Sequence, residues 1–165
     1  PGDRLVACEL HPQDRLALKR EFAGDRAVEV REEDGYHAVK SPLPPPERRG
    51  LVLIDPPFEA SDEFERLGRA LRHGLRRFAT GCFAIWYPVK DEAAVEAFVG
   101  GLAAQKTVRL ELRVPVADPA RLAACGMLVI NPPWKLEEAM RESLSWIAGV
   151  LGGTSSCRPA SSPTA

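Results

Sequence analysis

Apolar and polar positions along this chain repeat with period 2 in some stretches and near 3.6 in others, and the switches mark out strands and helices. Residues 4–10, RLVACEL, predict a short strand ending at Glu9. Residues 11–22, HPQDRLALKREF, predict a helix with Pro12 in its first turn and Leu16, Ala17 and Phe22 as apolar positions. Residues 26–35, RAVEVREEDG, alternate apolar and polar and predict a strand that exits at Asp34-Gly35. Residues 41–50 hold four prolines and read as a loop. Leu51 to Ile54 are wholly apolar, the pattern of a parallel strand buried on both faces. A helix is expected over roughly 62–78, with Ser61 as its cap and Asp62 and Glu63 favouring the positive end of its dipole. A strand over 81–89, a helix over 91–105, an alternating strand over 107–116 and a strand over 125–131 follow. Residues 135–151 place Leu136, Met140, Leu144, Ile147 and Leu151 on one helical face. The Gly-, Ser-, Thr- and Pro-rich residues 152–165 read as a disordered tail behind one domain over 1–151.

Strands alternating with helices predict an α/β fold with a largely parallel, doubly wound sheet. In such sheets ligands sit beyond the carboxyl ends of the strands. Glu9, Asp34, Asp55 and Asn131 all fall at predicted strand ends. Parallel early strands would line the first three acids along one edge.

The remaining bulk properties narrow the class. At 165 residues, 45% hydrophobic and 27% charged, the chain can bury a core and stay in solution. A net charge of −1 gives no global basic field, so any polyanion site must be a local patch. Cys8, Cys82, Cys125 and Cys157 are too far apart for a CxxC zinc pair and read as reduced thiols in a cytoplasmic protein. No apolar run approaches the ~18 residues of a membrane span. His11, His37 and His73 lack metal-ligand spacing.

The chemistry concentrates in Asp55-Pro56-Pro57-Phe58. The two prolines fix φ and remove two N–H donors, and Pro57 biases Pro56 towards an extended conformation. A rigid turn then offers two acceptors, the Asp55 carboxylate and the Pro56 carbonyl, which can hold both N–H groups of a planar exocyclic amine such as N6 of adenine. Its lone pair would be turned towards an electrophilic methyl group, with Phe58 stacked on the base at about 1–3 kcal/mol. Asn131-Pro132-Pro133-Trp134 repeats the pattern with a neutral head. Asp55 is favoured because Glu9 and Asp34 precede it on successive strands. Glu9 suits a ribose diol and Asp34 an adenine amine, and with the Pro-Pro turn they imply S-adenosylmethionine and no metal. Arg66, Arg69, Arg72, Arg76 and Arg77 recur on the helix after the motif, either as a phosphate-binding stripe or as a solvated face.

The segments ELHP (9–12), DGY (34–36), RRGLVLIDPPFE (48–59), RFATGCFAIWYPV (77–89) and GMLVINPPWKLE (126–137) together resemble the RlmJ family of bacterial 23S ribosomal RNA adenine-N6 methyltransferases. The likeness runs to about residue 150. It implies a Rossmann-like, S-adenosylmethionine-dependent methyltransferase fold, with residues 1–151 as part of the catalytic domain. It implies that Asp55, Pro56, Pro57 and Phe58 form the catalytic motif, where relatives often carry Tyr for Phe58. Glu9 would match the ribose-binding acid and Asp34-Gly35 the adenine-binding segment, with Asp55 also at the cofactor. The second Pro-Pro motif would not be catalytic. The implied partner is 23S ribosomal RNA, the parent protein is expected to be a monomer, and the target adenine must leave its stack. In the family, a strand and a Gly-containing loop precede ELHP and sit between the Glu9 and Asp55 strands. Without them two strand edges are expected to be open. The rivals are a DNA adenine-N6 methyltransferase or DNA-utilisation protein, since the motif does not see a 2′-hydroxyl, and a non-catalytic nucleic-acid-binding remnant.

Overall fold

The computed structural model describes residues 2–39, 42–102, 106–118 and 120–160. They fall into two compact units, divided between Leu43 and Pro44.

In the first unit, β1 (Leu5–Cys8) pairs in parallel with β2 (Val28–Arg31), and helix α1 (Pro12–Glu21) links them. The parallel pair needs such a crossover, and α1 begins where expected, with Pro12 at its start. The second strand stops at Arg31, short of the expected Gly35. Asp34 instead caps the short helix α2 (Gly35–Ala38), accepting the backbone N–H of Tyr36 at 2.8 Å.

The second unit is built on a five-stranded sheet in the order β3-β4-β6-β5-β7. Its strands are β3 (Leu51–Ile54), β4 (Cys82–Pro88), β5 (Thr107–Arg113), β6 (Ala124–Ile130) and β7 (Thr154–Pro159). Helices α3 (Glu63–Arg77), α4 (Glu92–Gly100) and α5 (Leu136–Leu151) connect them. The α/β class holds. The pairing is more mixed than expected: β3 and β4 are parallel, whereas β6 runs against β4 and β5, and β7 against β5.

Three local expectations are corrected. The apolar β3 is not buried on both faces: Leu51 and Leu53 are 65% and 63% exposed. It pairs only with β4 among the described residues, which leaves open one of the two strand edges expected to be so. Ser61 does not cap α3. Asp62 holds the cap position and makes no side-chain cap bond. The alternating β5 forms as expected and is buried from Thr107 to Glu111. The expected tail contains β7, so residues 154–159 are ordered by pairing with β5. Ser41 of the predicted loop, residues 103–105 of the predicted helix and residues 161–165 of the predicted tail lie outside the described residues.

Buried side chains cover both faces of the sheet. Phe83, Ile85 and Tyr87 of β4 are fully buried, as are Leu67 and Leu71 of α3 and Val95 of α4. On the other face Ala84, Val108, Leu110 and Val129 pack with Leu144, and with Leu136 and Met140 of α5. Gly126 lies between Tyr87 and Glu111 in register, and a Cβ there would stand 2.3 Å from the Tyr87 ring. The bare backbone lets the Tyr87 hydroxyl reach across to Glu111, at 3.3 Å. Glu111 also accepts from Arg109, which donates on its other side to Glu96. The buried charges of β5 are thereby paired, the condition for tolerating them inside. Burial, reinforced by the Glu111 carboxylate, raises the Tyr87 hydroxyl well above the ordinary phenol range.

Candidate functional site

Glu9 and Asp34 follow the carboxyl ends of the parallel strands β1 and β2 in the first unit. Glu9 is tied to the end of β2 by its backbone N–H, which donates to the Arg31 carbonyl at 3.1 Å. One Glu9 carboxylate oxygen accepts the His11 backbone N–H at 2.7 Å, which fixes the turn into α1 and the side chain with it. The Asp34 bond to Tyr36 fixes the Asp-Gly turn in the same way, and Gly35 is exposed. These acids and the backbone around Gly35 form an acceptor-rich set at the carboxyl edge of a parallel pair. That chemistry fits a nucleoside, whose ribose diol and exocyclic amine are donors. Beside them, burial and the Glu33 carboxylate raise the Cys8 thiol above its ordinary range.

Asp55 to Phe58 follow the end of β3 in the second unit. Asp55 is exposed, Pro56 buried, and Phe58 half-buried. Among the described residues nothing hydrogen-bonds or ion-pairs with the Asp55 carboxylate, so it is available as an acceptor. Phe58 has φ 50°, a left-handed conformation that is uncommon for a bulky residue and costs on the order of 1–3 kcal/mol. Its ring is held edge-on by Phe64 of α3 at 4.9 Å and by Trp86 of β4 at 6.0 Å. Phe64 in turn packs on Phe98 of α4 at 5.1 Å. Burial raises the Cys125 thiol above its ordinary range, and the Trp86 side chain partly offsets this. Phe64 and Trp86 were missed in the sequence because each reads there as an ordinary core aromatic. Only the strand register brings Trp86 to the level of the motif: Ile54 pairs with Ile85.

The second motif is built differently. The Asn131 backbone N–H donates to the Lys106 carbonyl at 2.8 Å. Its side-chain amide donates to the Ala79 and Gly81 carbonyls at 2.8 and 2.9 Å. Asn131 has φ 52°, a conformation Asn tolerates. Its polar head is therefore consumed in closing the turn between α3 and β4. Because β6 runs against β4, Asn131 lies near Cys82 and at the opposite sheet edge from Asp55, about 13 Å away along the strand direction.

The three acids do not line one edge of one sheet as expected, because β3 belongs to a different sheet from β1 and β2. The arginine stripe is also divided. Leu67, Leu71 and Leu75 are buried, so at 3.6 residues per turn Arg69, Arg72 and Arg76 face away from the core while Arg66 and Arg77 lie on a flank. Arg69 pairs with Glu65, and Arg66 with Glu63 at 3.5 Å. Among the described residues no His, Cys, Asp and Glu cluster could hold a metal, and no helix is long and apolar enough to cross a membrane.

Residues 1–159 match the family model described as ribosomal RNA large subunit methyltransferase D, RlmJ. The Haemophilus influenzae and Escherichia coli proteins named ribosomal RNA large subunit methyltransferase J are 44% and 42% identical over 153 residues, which is 90% of this chain. The match covers 54% and 55% of those proteins, so the chain spans about half the length of the curated relatives it matches. The crystal structure of protein LPL1258 from Legionella pneumophila superposes with a TM-score of 0.89 at 30% identity, over 96% of this chain and 61% of that one. The Streptococcus mutans methyltransferase candidate SMU.1697c, solved in complex with SAH, shares the fold at 18% identity and a TM-score of 0.51, over 77% of this chain and 76% of its own. With its motifs in the order and at the strand ends that the family resemblance implied, this chain belongs to the RlmJ family of ribosomal RNA large subunit methyltransferases.

Proposed function

We propose that the protein of which this chain is part transfers a methyl group to N6 of an adenine in 23S ribosomal RNA, in the cytoplasm. The observation that carries this reading is the exposed Asp55 carboxylate at the end of β3. It is held on a donor-free Pro-Pro turn and followed by an aromatic ring fixed in a left-handed conformation.

Asp55 and the Pro56 carbonyl accept the two N–H groups of the adenine amine and orient its nitrogen. Phe58 stacks on the base, which must first leave its helix. Glu9, Asp34 and Gly35 would hold S-adenosylmethionine, which supplies the electrophilic methyl group when bound. Most of the rate gain expected of these residues is positional, since a delocalised amine is a weak nucleophile that must be aligned. The exposed arginines Arg69, Arg72, Arg76 and Arg77, with Arg66 beside them, supply phosphate contacts along α3.

The test is methyl incorporation by the intact protein from labelled S-adenosylmethionine into deproteinised ribosomal RNA and into duplex DNA, followed by nucleoside analysis. N6-methyladenosine from the RNA alone is expected. Label in the DNA alone would transfer the reading to a DNA methyltransferase. No label in either, from folded protein that binds RNA, would overturn it in favour of a binding module.

A further inference from the structure

The Asn131-Pro132-Pro133-Trp134 turn has no role in the chemistry above, yet it is constructed with care. Its hydrogen bonds to Lys106, Ala79 and Gly81 pin it to the amino-terminal edge of β4 and β5. Trp134 is 87% exposed, the most exposed large hydrophobic residue among those described. Lys135, the next residue, is left-handed with φ 65° and opens α5. The same hydrogen bonds bring Lys106 and the end of α3, with Arg76 and Arg77, to this edge. All four cations are exposed. The two acids in the first turn of α5 are Glu137, engaged by Arg141 at 2.7 Å, and the exposed Glu138. An exposed indole on the same edge as four exposed cations, in a chain with no net positive charge, offers a stacking platform beside a local patch for a polyanion.

We infer that this edge is a second RNA-binding surface, on which Trp134 stacks an unpaired base while Arg76, Arg77, Lys106 and Lys135 meet the flanking phosphates. The inference rests on the RNA substrate proposed above and extends it. The substrate is gripped at both ends of the five-stranded sheet, with the reacting adenine at the Asp55 edge and an anchoring segment at the opposite one. Charge selects the occupant: exposed cations beside an exposed aromatic complement the phosphates and unstacked bases of a single strand.

The test compares the intact wild-type protein with Trp134→Ala, Trp134→Phe, Lys106→Ala and Lys135→Ala, using an unmodified ribosomal RNA fragment that carries single-stranded flanks. Trp134→Ala should weaken RNA binding about 5- to 150-fold, and Trp134→Phe should keep most of the affinity. Each lysine variant should reduce the slope of log affinity against log salt by about 0.7–0.9. The methylation rate at saturating RNA should not change, because these residues lie at the edge away from Asp55. RNA affinity within twofold of wild type in all four variants would overturn the inference. So would a wild type that self-associates through Trp134 and loses that association in Trp134→Ala without a change in RNA affinity. An active wild type with unaffected variants refutes only this surface. An inactive wild type whose RNA binding depends on Trp134 refutes only the methylation reading.

Discussion

The two Pro-Pro turns of the second unit share a sequence pattern and differ in almost everything the pattern was expected to produce. Asp55 ends a strand parallel to β4 and Asn131 one antiparallel to it, so the same four-residue pattern appears at opposite edges of one sheet. Asn131 spends its side-chain amide on the Ala79 and Gly81 carbonyls. The Asp55 carboxylate is exposed and unengaged among the described residues. The left-handed residue is the polar head in one motif and the aromatic in the other. The aromatic is locked between two rings in the first turn and thrust into solvent in the second. Proline pairs make a rigid turn. What the turn does depends on whether the fold claims its polar head.

That contrast can be broken most severely at Asp55. Asp55→Ala should lower the methylation rate of the intact protein about 100- to 1,000-fold, the usual effect of deleting one preorganised polar group. Its denaturation midpoint should scarcely move, since the side chain is exposed and unpartnered. Asn131→Ala should do the reverse. Two carbonyls lose a donor and a left-handed position loses a tolerant residue, so stability should fall by about 2–4 kcal/mol, while the rate per folded molecule stays near wild type. Denaturant titration beside rate measurements separates the two. Phe58→Ala should come next, with kcat/KM for RNA down about 5- to 150-fold through lost stacking, and Phe58→Tyr should be nearly silent. Trp86→Leu should have the smallest effect. Removing an aromatic pair contact worth about 0.5–1.5 kcal/mol loosens Phe58, and kcat/KM should fall a few-fold. If Trp86→Leu equalled Phe58→Ala, Trp86 would itself be touching the base.

Much of this was legible in the chain. Alternation and apolar runs placed the main elements close to their observed bounds, and Pro12 sits at the helix start it was suited to. The Asp55 turn and Glu9 were visible because each is a polar residue at an abrupt break in an apolar pattern, and Asp34 because Gly35 follows it. The failures share a cause: burial is set by neighbours that sequence does not order. LVLI reads as buried on both faces, but Leu51 and Leu53 are exposed on one of them. The burial of Arg109 and Glu111 left no mark on the alternating pattern of β5, yet the two charges pair in the interior. The β7 segment itself, TSSCRP, has too little apolar character to announce a strand, and β5 supplies the partner that makes it one. Phe64 and Trp86 reach Phe58 only through the register of β3 on β4 and the packing of α3, neither of which leaves a mark on local sequence.

The most direct test of the central claim sets the two motif heads against each other in one assay. Wild-type, Asp55→Ala and Asn131→Ala proteins, each normalised to its folded fraction, are given labelled S-adenosylmethionine and unmodified ribosomal RNA, and the RNA is digested to nucleosides for mass spectrometry. N6-methyladenosine from wild type and from Asn131→Ala, with none from Asp55→Ala, is the predicted result. N6-methyladenosine from Asp55→Ala with none from Asn131→Ala would contradict the account and move the chemistry to the other edge of the sheet.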